Sequence, residues 1–99
     1  MAEQKQAEKA IQVSFPDNLK GGVYSNLMFV THTKEEFILD FIMVSPPQGA
    51  VTARVIMSPG HMKRTLVALQ ENLKKYEKNY GTLKEAPEPT KGKLGFRMP

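Results

Sequence analysis

The chain has 99 residues, 40% of them hydrophobic, and 14 Lys and Arg against 10 Asp and Glu give a net charge of +4. The absence of cysteine excludes disulfides, thiolate metal sites and cysteine nucleophiles. The length suits one domain with one core. No apolar run approaches the roughly 20 residues of a membrane span, and the mild positive charge permits an anionic partner without requiring one.

Residues 1–10, MAEQKQAEKA, lack an apolar stretch and do not resemble a signal peptide. They read as a flexible N-terminal tail, and with no cysteine in the chain the expected location is the cytoplasm. A single β4α domain is expected over residues 11–81. Ile11, Val13 and Phe15 alternate before the turn residues Pro16, Asp17 and Asn18 and predict a short first strand. After Gly21-Gly22, a second strand is expected over Val23–Thr31, then a polar hairpin loop at His32–Glu35 and a third strand over Glu36–Val44. A five-residue loop, Ser45 to Gly49, leads to a fourth over Ala50–Met57. Loops this short imply antiparallel neighbours.

The stretch from Ser58 to Gly81 predicts one long helix. Ser58 suits the N-cap, Pro59 the first helical position and Gly81 the C-terminal stop. Met62, Leu66, Leu69, Leu73, Tyr76 and Tyr80 fall within about 80° of arc, a narrow apolar seam. The opposite side carries Lys63, Arg64, Lys74, Lys75 and Lys78, with Glu71 among them. The fold class is therefore α+β: a four-stranded antiparallel meander followed by a C-terminal amphipathic helix, with the seam expected to cover one sheet face. Residues 82–99, with three prolines and scattered lysines, read as a flexible C-terminal tail. Docking of its Leu94, Phe96 and Met98 cluster is the alternative.

The sheet face expected beneath the helix holds Phe37, Leu39, Phe41 and Met43 with Val51, Ala53, Val55 and Met57. The second face is also largely aliphatic: Ile38, Ile42, Val44 and Ile56, interrupted by Asp40 and Arg54. The hairpin register sets those two charges opposite each other. An antiparallel sheet with a solvated back reads polar there, and a large exposed aliphatic patch marks an interface. Ile38, Asp40, Ile42, Val44, Arg54 and Ile56 are therefore the candidate oligomer interface. The expected partner is a second copy of the chain, in a homodimer or higher assembly. Cover by the N-terminal segment is the alternative.

Other candidates are weaker. His32 and His61 lack metal-ligand spacing with the nearby acids, so no metal or cofactor is expected. Glu36 and Asp40 share a strand face, but two acids on a strand are ordinarily structural, and no enzyme activity is expected. The helix start, with Ser58, Gly60, Lys63 and Arg64, offers free amides and cations to an anion. Lys74, Lys75 and Lys78 extend the basic stripe toward nucleic-acid contact, although the aromatic stacking platforms of single-strand binders are committed elsewhere. A non-enzymatic, homo-oligomeric binding or adaptor protein is the leading expectation, and a nucleic-acid-binding module the alternative. A further protein partner fits the first reading, and a membrane fits neither.

The blocks GGVYSN, HTKEEFILDF and SPGHMKRTLVALQENLKKYEKNYG resemble a small bacterial and archaeal family of proteins of similar length, a domain of unknown function. The resemblance spans Ile11 to Gly81. It is most specific at Ser58, Pro59, His61, Lys63, Arg64, Glu71, Asn72, Tyr76 and Gly81, and Met62 stands where the family pattern has alanine. It implies an established folding unit, with no assigned activity and no catalytic residues. In order of elements alone, the layout is also similar to dimeric coactivators that bind single-stranded nucleic acid and to tetrameric SecB-like export chaperones.

Overall fold

The segment from Phe37 to Ser45 is apolar at nearly every position, so as a strand it presents an apolar row on both faces and belongs in the middle of a sheet. The computed structural model, which describes residues 10–97, places it there. Strands β1 (Leu27–His32), β2 (Phe37–Ser45) and β3 (Gln48–Met57) form an antiparallel sheet in the order β1-β2-β3, and helix α1 (Pro59–Tyr80) follows. The expected tail 1–10 falls, except for Ala10, outside the described residues, as does Met98 of the C-terminal cluster.

Two tight connections set the register. At Thr33–Glu36 the Thr33 hydroxyl accepts hydrogen bonds from the amides of Glu35 and Glu36, both at 3.2 Å, and the Thr33 amide donates to the Glu36 carbonyl at 2.9 Å. The second turn is tighter than the expected five-residue loop: Ser45 already pairs with Gln48, leaving Pro46 and Pro47 joined by a cis peptide bond. Asp40 stands opposite Arg54 and Ile38 opposite Ile56. The register then shifts by one between Phe41 and Ile42, where Thr52 forms a β-bulge. That bulge corrects one expectation. Val51, assigned by unbroken alternation to the face of Val55, pairs with Ile42 and so joins the opposite face.

The fourth strand is not formed. Residues 10–16 have no ladder partner, and Ile11, Val13 and Phe15 are exposed. The chain instead closes locally into the 3-10 turn Asp17–Leu19, with Leu19 donating to the Pro16 carbonyl at 3.0 Å and Gly22 to that of Leu19 at 3.1 Å. Asn26 ties this region to the sheet. Its side chain behaves like one more strand residue: Nδ2 donates to the Val44 carbonyl at 2.9 Å, and Oδ1 accepts from the Val44 amide at 2.8 Å. The Asn26 amide itself donates to the Ile42 carbonyl at 3.0 Å.

Helix α1 starts and stops as its caps dictate. The Ser58 hydroxyl accepts from the His61 amide at 3.2 Å, and the Gly81 amide donates to the Glu77 carbonyl at 2.9 Å from a backbone at φ 97°. Its seam does not cover the sheet, contrary to the expectation from periodicity. None of its residues is buried, and Leu69 and Tyr80 are 62% and 75% exposed. The reason lies in the connection: Ser58 alone separates β3 from α1, whereas a helix that doubles back over its sheet ordinarily follows a loop of several residues. Only the first turns lean on the sheet, where the Thr65 hydroxyl reaches the Met57 sulfur at 3.6 Å.

The single chain is consequently open. Among the described residues only Leu39, Asp40, Ile42 and Val44 are buried. The chain exposes 9251 Å², against about 5,700 Å² for a folded monomer of this mass. Its radius of gyration is 18.2 Å, where about 13 Å is usual.

Candidate functional site

Alternation along β2 and its register with β3 bring Ile38, Asp40, Ile42, Val44, Arg54 and Ile56 onto one sheet face. Phe29 joins them from β1, opposite Asp40. At the centre is a two-pronged ion pair: Arg54 Nε donates to Asp40 Oδ1 at 2.6 Å and Nη2 to Oδ2 at 2.9 Å. Asp40 is 6% exposed, while most of the Arg54 side chain remains in solvent. The Arg54 hydrogen bonds hold the Asp40 carboxyl below the usual carboxylate range; burial opposes them, and the charge of Arg54 adds to them. The same contacts raise Arg54. A carboxylate held ionised in this way is a poor proton donor at neutral pH, so the pair's chemistry is charge matching within a covered face.

Part of the cover comes from the chain itself. The segment Thr90–Arg97 returns to this face and, with Asp40, Ile42, Val44 and Arg54, walls a cavity of about 630 Å³. Phe96 packs edge-on against Phe29, ring centroids 5.5 Å apart, and Leu94 lines the same space. The C-terminal residues read as a flexible tail thus carry a docking element. Its only signal in the sequence is the late apolar cluster itself. Cover stops short of the far end, where Ile56 is exposed and Ile38 half-buried.

The other apolar surfaces lie elsewhere. On the first sheet face Leu39 is buried, but Met28, Val30, Met43 and Val55 keep substantial exposure. The α1 seam shows Leu66, Leu69, Leu73, Tyr76 and Tyr80 to solvent, with the two tyrosine rings 4.9 Å apart. The basic stripe is solvated: Lys63, Arg64, Lys74, Lys75 and Lys78 are all exposed and form no ion pair among the described residues. At the helix start, Ser58 spends its hydroxyl on the His61 amide, and Gly60 is exposed beside it. His32 lies against the Phe37 ring at 5.3 Å, far along the chain from His61. The described residues contain no group of three or more His, Cys, Asp or Glu side chains placed to hold a metal ion. No helix among them is long and apolar enough to cross a membrane.

Sequence reasoning missed Asn26, whose polar side chain in the block GGVYSN carries no signal of a backbone-mimicking role. It also missed the bulge at Thr52, whose hydroxyl lies 3.2 Å from the carbonyls of both Tyr24 and Phe41. Neither the curated proteins nor the solved structures contain a match to this chain. A family model does match, over residues 1–85, and takes in the whole sheet, the helix and its caps. The chain therefore belongs to the family described as protein of unknown function, DUF3467.

Proposed function

We propose that this protein is a non-enzymatic, homo-oligomeric binding or adaptor protein of the cytoplasm that works through protein–protein contacts. The carrying observation is a 22-residue helix with an apolar seam and no buried residue. Such a seam in water is a standing cost that association removes. The excess surface of the single chain, roughly 3,600 Å² over an ordinary monomer, supports the same reading. It exceeds the ~800 Å² per partner of a standard interface, even though the terminal segments account for part of it. The uncovered end of the second sheet face, with Ile38, Arg54 and Ile56, is a further contact surface in this reading. The alternation Ile11, Val13, Phe15 fits a fourth strand that pairs only in the assembly. Folding of an oligomer is coupled to mass action. The melting temperature is therefore expected to rise with protein concentration across the micromolar range, and a concentration-independent melt would count against self-association.

Five cations of α1 that form no ion pair among the described residues favour one second reading, a nucleic-acid-binding module using the outer helix face. Neutralising several phosphates makes affinity fall steeply with salt. Binding to a mixed-sequence single-stranded oligonucleotide that is strong at low salt and lost at moderate salt would establish it. Absence of binding at low salt removes it.

A further inference from the structure

Among the described residues two apolar surfaces are only partly covered, and they match each other. The α1 seam runs the length of a 22-residue helix, about 33 Å. The first sheet face follows β2, 9 residues long, about 30 Å. Neither surface carries a charged side chain. The seam is Leu and Tyr beyond its half-buried Met62, and the face presents Met28, Val30, Phe41, Met43 and Val55, with His32 at one margin. The chain does not bring the two together itself, because Ser58 alone joins β3 to α1.

Resting on the oligomeric reading above, we propose that two copies assemble reciprocally, the α1 seam of each lying across the first sheet face of the other. One kind of contact, used twice about a two-fold axis, then covers both surfaces and closes the assembly. Pairing helix with helix would bury the seams but leave both sheet faces bare. The reciprocal arrangement also turns the stripe of Lys63, Arg64, Lys74, Lys75 and Lys78 outward. There the cations stay hydrated, and their mutual repulsion opposes further stacking of dimers.

The absence of cysteine makes the test clean. Val55→Cys or Val30→Cys on the sheet is combined with Leu66→Cys, Leu69→Cys or Leu73→Cys on the helix. Three helix positions keep the test open where one substitution disturbs folding. Equal amounts of isotopically labelled and unlabelled chain are refolded together and joined with a short bismaleimide. Mass spectrometry then identifies which thiols are linked and whether a link spans two chains. Helix-to-sheet links are expected to predominate, with links between labelled and unlabelled chains as frequent as those between like-labelled chains, the proportion that random pairing gives, on a protein whose mass by light scattering is twice 11.1 kDa. Helix-to-sheet links confined within one chain would overturn the proposal, as would helix-to-helix links alone or a dimer that yields no helix-to-sheet link. In a protein of dimeric mass those results leave the oligomeric reading standing. A mass of 11.1 kDa overturns both.

Discussion

At the scale of single residues, Asn26 and Asp40 do work that their identities alone do not announce. The Asn26 side-chain carboxamide exchanges two hydrogen bonds with the Val44 backbone, finishing the β1–β2 ladder where the main chain turns away. Asn26→Ala is expected to cost about 1–3 kcal/mol, the net worth of two such bonds, measured by chemical denaturation. A variant as stable as the parent would show that water replaces the amide. Asp40 leads to a pH signature. Its folded pKa lies below the ordinary value of 3.8, so the ion pair's contribution is complete above that value and is lost as pH falls through the lowered one. The stability gap between the parent and Asp40→Asn should therefore hold steady from neutral pH to about pH 4 and close below it. A gap that persists to pH 2 would show that Asp40 titrates normally and that the pairing with Arg54 contributes nothing.

At the scale of elements, what the sequence makes legible is what local physics decides. The helix boundaries follow from Ser58, Pro59 and Gly81, and the two hairpins from alternating rows broken by polar or proline-rich turns. The facing of Val51 was not legible, because a bulge depends on how two strands settle against each other and leaves no mark on either alone. The fourth strand failed for a related reason: Ile11, Val13 and Phe15 have the right period, but period does not supply a ladder partner. Periodicity likewise defines the apolar face of α1 without saying what that face meets. The half-exposed leucines give that distinction a measurable form. Leu73→Ala should have a small effect on the isolated fold but weaken the assembly. Its loss of melting temperature is expected to be small at low protein concentration, where both proteins are dissociated, and to grow as the concentration rises. An equal loss at every concentration would place Leu73 in the chain's own core. Replacing Lys74, Lys75 and Lys78 with glutamate leaves the seam intact, so circular dichroism should show the helix retained. If nucleic acid is the partner, its binding should weaken uniformly across sequences.

For the whole molecule, the radius of 18.2 Å and the exposed area of 9251 Å² exceed those of a compact domain of this length, in part through the exposed segments 10–16 and 82–88 and in part through the uncovered α1 seam. Of the second sheet face, the sequence showed Ile38, Ile42, Val44 and Ile56 with the Asp40–Arg54 pairing, but neither Val51 nor Phe29. It did not show that Leu94 and Phe96 return from the C-terminus to cover part of it, since two apolar residues among lysines and glycines form no periodic pattern. With that face partly closed from within, the surfaces left in need of a partner are the α1 seam, the first sheet face and the end of the second face at Ile38 and Ile56. Whether the chain associates is decisive for all of these surfaces. Sedimentation equilibrium at micromolar concentration tests this most directly. It should give twice the chain mass of 11.1 kDa, or a higher multiple, and a single ideal species of 11.1 kDa would contradict it.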